Sequence, residues 1–277
     1  MNFGKIIGEP DSVYHSAEAF GIHDLADLNP YPIRFKMKHV THEIKDEDSK
    51  AFAFGRFLHA LALEGEKVAD SRFVQAPEGI DRRTKEGKAK WEAFQLESAG
   101  REIISQEDSA TAWAMVKAIQ AKPAAKALFE TGQPEVVFRH AMKFFAVQSR
   151  VDWLVEKPAG GGPPLIVDLK SIDRLEDFER QFLNYGYYRQ AAFYRQVVKS
   201  VLKLDEDPQF LFVVVEKQAP HLVSVVAPDA QSLDLGWREC ERDLLTLRKC
   251  MESGVWPGSP DEAQTISLPG WKTKEAA

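Results

Sequence analysis

A chain of 277 residues, 44% hydrophobic and 28% charged, has the balance of an ordinary globular protein and room for one large unit or two small ones. It holds no run of 18 apolar residues, which excludes a membrane-spanning helix, and its opening MNFGKIIGEPDSVYHS lacks the basic segment and apolar stretch of a secretory signal. A net charge of −6 excludes a broad electrostatic grip on nucleic acid, so any such contact is confined to a local basic patch.

In chain order, the spacing predicts short helical pieces over 22–28 and 32–39. A long amphipathic helix is expected over 49–64, with Phe52, Phe57, Leu58, Leu61 and Leu63 toward one side. Residues 71–76 read as a short strand, and helices follow over 84–97, 108–121 and 124–129, the last two parted by Pro123. At Glu135 the character changes. Segments 135–140, 144–155 and 165–171 are rich in Val, Ile and Phe and read as strands. Between the last two lies the connection PAGGGPP, 158–164. A helix over 183–202, a strand pair at 209–216 and 222–226, and a helix over 230–252 complete the pattern, with an irregular tail from Trp256. The last helix carries the only two cysteines, Cys240 and Cys250. They suit a reducing cytoplasm and are too few for a four-thiolate cluster or zinc site. This order predicts one mixed α/β domain, a central mixed β-sheet flanked by helices. It divides into a mainly helical part over 1–130, the catalytic sheet and helices over 131–255, and a tail over 256–277.

The sharpest local signal is Ile166-Val167-Asp168-Leu169-Lys170, an apolar strand that delivers an acid and a base two residues apart, on one face. Sixteen residues earlier, Arg150-Val151-Asp152-Trp153 places a second acid in the preceding strand. Folding at the loop near Gly161 sets Asp152 about opposite Asp168, roughly 5 Å away. Two ionised carboxylates at that separation repel unless a cation lies between them, and a hard divalent ion, magnesium first, suits oxygen ligands. Lys170 then stands where it can orient a water or stabilise charge on a phosphate. Taken alone, an Asp-x-Lys on a strand is a surface ion pair worth under about 1 kcal/mol. The opposed Asp152 shifts the reading toward a metal site.

The pattern R-x-D, then I-V-D-L-K, then Q-A-A-x-Y resembles the PD-(D/E)XK nuclease superfamily. The wider chain resembles the exodeoxyribonuclease VIII (RecE-type) phage recombination exonucleases. The resemblance rests on Tyr14-His15-Ser16, Asn29-Pro30, the Gly55-x-x-x-His59 segment, Trp256-Pro257-Gly258 and Leu268-Pro269-Gly270-Trp271. It implies the PD-(D/E)XK fold, with Asp152, Asp168 and the backbone carbonyl of Leu169 holding Mg2+ (Mn2+ can substitute) and Lys170 catalytic. It also implies that His59 lies beside the metal and that Glu135 is an additional acidic ligand. Gln190 and Tyr194, at i and i+4 on one helix face, would close over the site. Without the resemblance His59 reads as a packing histidine, Glu135 as a solvated strand start and Tyr194 as core. Arg56, Arg82 and Arg83 are candidates for DNA contact, with Arg34, Lys36, Lys38, Lys85 and Lys88 as further cations. A charge run of this kind is otherwise a solvated face.

The resemblance implies a metal-dependent DNA exonuclease in the cytoplasm of a bacterial or phage-infected cell. It would resect double-stranded DNA ends 5′ to 3′ for a single-strand annealing protein, as a homo-oligomer with a tetramer first. A nuclease module of a repair or CRISPR-adaptation system, and a non-catalytic DNA-binding subunit keeping the fold, are the competing readings. The two-cysteine count speaks against the cluster-bearing version of the first, and the intact Asp152, Asp168 and Lys170 set against the second.

Overall fold

The computed structural model describes the backbone of residues 1–45 and 50–267, and the side chains of 1–45 and 53–267. The expected helix start at Ser49, the side chain of Phe52 and the segment Leu268-Pro269-Gly270-Trp271 lie outside the described residues.

The chain begins with β1 (Gly4–Ile6), α1 (Asp11–Ser16), α2 (Ile22–Ala26) and α3 (Pro32–Phe35), the last continuing as a π turn to Val40. Helix α4 (Lys50–His59) likewise runs on as a π turn to Glu64, and α5 (Glu66–Arg72) leads into β2 (Phe73–Gln75). Then come α6 (Lys85–Glu97), β3 (Glu102–Ile104), α7 (Gln106–Ala121) and α8 (Pro123–Leu128). The second half comprises β4 (Gln133–Ala141), β5 (Ala146–Val155), β6 (Leu165–Ile172), α9 (Phe178–Asn184) and α10 (Tyr187–Leu202). It ends with β7 (Gln209–Glu216), β8 (Val223–Val226) and α11 (Ala230–Ser253). Helices α6 and α7 start where Thr84 and Ser105 accept from the N–H of Gly87 and Asp108, which satisfies amides that have no partner inside the helix.

Six strands form the central sheet in the order β1-β4-β5-β6-β7-β8. All neighbours are antiparallel except β6 and β7, which run parallel because the intervening α9 and α10 return the chain to the same end. Both faces are covered. On one, Val136, Phe138, Ile166 and Phe212 pack with Phe35, Phe193, Val197, Cys240 and Leu247 from α3, α10 and α11. On the other, Trp153, Val167, Leu169 and Val213 pack with Phe57, Leu58, Met115 and Ile119 from α4 and α7. In β6, Ile166 faces α10 while Val167 and Leu169 face α4, so strand alternation sends Asp168 and Lys170 to the α10 side.

The fold class is the expected one, a mixed α/β sheet between helices. Three departures have local causes. The predicted helix over 183–202 is two, because Gly186 sits at φ +67°, a left-handed conformation that ends α9 and starts α10 in a new direction. Strands β1 and β3 have three residues each, too few for a period-two signal, and β3 pairs with β2 in a separate two-stranded parallel sheet. The tail after α11 is irregular, yet Trp256 stacks on Phe35 with ring centres 5.9 Å apart and Pro257 O accepts from Ile33 N at 3.0 Å.

Candidate active site

The site lies where the sheet opens between β5 and β6. These strands pair only at Val155↔Leu165, Leu154↔Ile166 and Trp153↔Val167. One step on, the same register sets Asp152 across from Asp168, but there the ladder stops; β5 continues with β4 alone and β6 with β7 alone. In place of a ladder carbonyl, Asp152 Oδ2 accepts from the Leu169 N–H at 2.8 Å. Opposite Asp152 on β4 stands Glu135, between the pairs Val136↔Val151 and Pro134↔Trp153, and it adopts φ +49°. That is uncommon for a residue with a Cβ and clusters at functional positions. Val151 and Trp153 are two apart yet pack on opposite faces of the sheet, so strand alternation slips at Asp152. The slip and the opening let side chains from both helix layers reach one point.

From the α4 side comes His59. Its Nε2 is 3.0 Å from Leu169 O, and its Nδ1 is 3.6 Å from Asp152 Oδ2 and 4.0 Å from Glu135 Oε1. A carbonyl only accepts, so we assign the proton of the neutral ring to Nε2 and the free lone pair to Nδ1, which faces both carboxylates. One ligand atom each from His59, Glu135 and Asp152 lie within 4.8 Å of one another. From the α10 side, Gln190 Nε2 donates to Asp168 Oδ1 at 2.8 Å, and Lys170 Nζ lies 2.5 Å from Asp168 Oδ2. The Lys170 ammonium also stands 4.8 Å from the Tyr187 ring centre. Arg150 Nε is 3.0 Å from Glu135 Oε2, its guanidinium pairs with Asp11, and it lies 4.6 Å from the Tyr14 ring centre. His59, Glu135, Arg150, Asp152, Lys170 and Gln190 open on a cleft of about 910 Å³, which Tyr194, one turn from Gln190, also lines.

Burial and mutual repulsion set the charges. Burial, with Asp152 adding to it, pushes Glu135 up to about 7 against the pull of Arg150 and His59. Asp168, only 1% exposed, is pushed up to about 6 by burial, with Lys170 opposing and Asp152 reinforcing. Burial works against the charge of Lys170, but Asp168 and Asp152 outweigh it and hold the ammonium above the ordinary lysine value. Lys170 therefore serves as a fixed cation near neutral pH and not as a base. Burial drives the Tyr194 phenol well above its usual value, leaving a neutral hydroxyl.

The donor set fits a hard divalent cation. One imidazole nitrogen and two carboxylates converge, and a bound cation would offset both the burial and the Asp152 repulsion that raise Glu135. The sequence-predicted residues fall into two groups here. Asp152, Glu135 and His59 share the metal-capable cluster, whereas the Asp168 carboxylate turns to Lys170 and Gln190. Arg56 lines the cleft and pairs with Glu102, but Arg82 and Arg83 do not reach it: Arg82 lies over Trp91, and Arg83 binds Asp81. Sequence reasoning gave no role to Arg150 or Glu64, which also line the cleft. The signal for Arg150 was present, a cation two residues before Asp152 on the same strand.

Residues 34–269 match the family described as a PDDEXK-like domain of unknown function. This chain belongs to that family. Asp152, Asp168 and Lys170 lie together where β5 and β6 part. Among solved structures, one from Eubacterium rectale described as a "Putative exonuclease" is 14% identical, covers 98% of this chain and 99% of its own, and has a TM-score of 0.62. At that identity the likeness speaks for a shared fold alone. A second, SSO0001, is 11% identical over 74% of this chain and 94% of its own with a TM-score of 0.29, and no argument rests on it. Comparison with curated proteins finds no match.

Proposed function

We propose that this protein is a divalent-metal-dependent exonuclease that degrades linear double-stranded DNA from its ends. The observation that carries the reading is the convergence of His59, Glu135 and Asp152 with the Asp168–Lys170 pair on one cleft of a PDDEXK-like fold. Glu135, Asp152 and His59 Nδ1 would hold the metal, with Asp168 beside them and Leu169 O fixing the imidazole through its Nε2–H. Bound Mg2+, or Mn2+ in its place, supplies polarisation of a phosphoryl oxygen and an acidified water. Asp168, fixed by Gln190, orients Lys170 toward the cleft. The ammonium stabilises negative charge that grows on the phosphate, a contribution typically worth a factor of 10²–10³ in rate. Arg150 offers a second cation on the far side of Glu135.

The family resemblance of the sequence supports 5′ to 3′ resection that leaves 3′ single strands for an annealing partner. An acidic chain cannot stay on DNA by broad attraction, so a closed ring of subunits, a tetramer first, is the assembly we propose. The test is end-labelled linear duplex with Mg2+, with and without chelator, comparing 5′-phosphate and 5′-hydroxyl ends. We expect chelator-sensitive digestion leaving 3′ strands, and a tetrameric mass by light scattering. Absence of digestion by a folded, metal-binding protein would favour the non-catalytic subunit instead.

A further inference from the structure

A polymer bound across the cleft must continue beyond the cut, and a second groove adjoins it. This second groove, about 1020 Å³, shares four lining residues with the candidate active cleft: Tyr14, His15, His23 and Tyr194. The two therefore adjoin along a shared wall, and they differ in character. Five carboxylates line the active cleft, from Asp11, Glu64, Glu102, Glu135 and Asp152. In the groove only Glu18 and Asp24 do, and Asp24 is engaged by the Gly21 N–H at 2.7 Å and stands 3.5 Å from His39. Its basic groups are Lys38 and four of the chain's seven histidines, His15, His23, His39 and His42; Asp27 holds Lys38 at 2.9 Å and His39 at 2.8 Å, so His15, His23 and His42 are the donors the groove offers a strand.

Aromatic side chains are interleaved with these donors. Phe3, Phe144 and Phe145 line the groove, and Phe3 is 52% exposed despite its size. The Lys143 ammonium lies 4.9 Å from the Phe144 ring centre, adding a cation at the groove's edge. Flat apolar faces beside hydrogen-bond donors, with few carboxylates, match the chemistry of a single strand, whose bases stack on rings while its phosphates take the donors. A duplex keeps its bases inside and offers the rings nothing.

The geometry points to this groove as the path of a single-stranded DNA segment running from the cleavage site, read by stacking and backbone contacts without base specificity. The inference rests on the nuclease reading and adds the strand's route. Neither Phe3 nor His42 belongs to the site cluster, so they serve as probes. Binding of a short fluorescent oligothymidylate and of a blunt duplex would be measured in EDTA for wild type, Phe3→Ala, His42→Ala and the double variant. Mn2+ affinity and melting temperature would be measured alongside. Loss of one stacking ring is expected to weaken oligothymidylate binding roughly tenfold. The double variant should lose more, with duplex binding, Mn2+ affinity and melting unchanged. Unchanged oligothymidylate affinity in the double variant overturns the route, as does a loss confined to the duplex or one accompanied by lost Mn2+ affinity. If wild type digests DNA in any of these cases, the nuclease reading stands without the groove; if wild type neither binds nor digests DNA, both fall.

Discussion

Glu135 is held where its own charge is unwelcome, and this ties stability to pH and metal. Its pKa of about 7, and that of about 6 for Asp168, lie above the ordinary carboxylate values near 4.5 and 3.8. The folded protein thus keeps protons that the unfolded chain gives up. The stabilisation this gives is complete below the unfolded values and is lost as pH rises through about 6 to 7. In EDTA, the melting temperature should fall from pH 5 to pH 8, and Glu135→Gln should shrink that fall. Mg2+ or Mn2+ should restore the pH 8 value in wild type and leave pH 5 nearly unmoved, because protonated carboxylates do not bind metal. Calorimetric scans at both pH values read this directly; a flat metal-free profile would contradict the arrangement. Activity should accordingly rise with pH through the same window.

Under the proposed function the two groups around the site would divide the labour, and substitutions separate them. Asp168→Ala should abolish metal-dependent digestion in a folded protein, since it removes the partner of both Lys170 and Gln190. Lys170→Ala should cost about 10²–10³-fold in turnover while Mn2+ affinity by calorimetry stays near wild type, because an ammonium has no lone pair for a metal. A collapse of metal affinity in Lys170→Ala would show that the lysine organises the ligands themselves. These residues were legible in the sequence because strand period places Asp168 with Lys170, and a hairpin register brings Asp152 opposite. His59 and Glu135 were not derivable that way. One sits on a helix 110 residues from Leu169, and the other depends on a positive φ that no periodicity announces.

At the scale of elements, α10 sets the site because it carries Gln190, and α11 sets α10. The two helices touch at Gly236, where an added Cβ would stand 2.6 Å from Tyr188 O. In a helix interior, Gly→Ala ordinarily gains about 0.5–1 kcal/mol. Here the contact is with backbone that cannot turn aside, and overpacking costs about 1–3 kcal/mol, so the clash wins. Gly236→Ala should lower the melting temperature by several degrees and reduce activity further by displacing Gln190. A variant as stable as wild type would mean that the helices separate freely. The break at Gly186 is a second element-scale feature. An apolar pattern shows that residues 183–202 are helical, but not that the chain turns once within them.

Across the whole molecule, a buried network ties the first residues to the sheet. Arg139 is 1% exposed; its guanidinium binds the Glu9 carboxylate at 2.8 Å, Asn2 O at 3.0 Å and Gln148 Oε1 at 2.8 Å. Gln148 in turn donates to Tyr14 O at 3.3 Å, and Tyr14 lies under Arg150 at the cleft. Arg139→Met should cost about 3–5 kcal/mol by stranding the Glu9 charge, and the double variant with Glu9→Met should recover much of it. Denaturant melts of the three variants decide this; equal losses in single and double variants would mean that packing, not charge, is at stake.

Apolar periodicity and turn residues by themselves determined that this chain forms a sheet between helices and that Asp152, Asp168 and Lys170 meet, because those are consequences of strand period and hairpin closure. What only the tertiary structure decided is where the ladder stops. The parting of β5 from β6 after Trp153 and Val167, the slip at Asp152 and the docking of α4 depend on packing against both helix layers. No local pattern encodes them, since each is set by residues far apart in the chain that become neighbours only when both cores close.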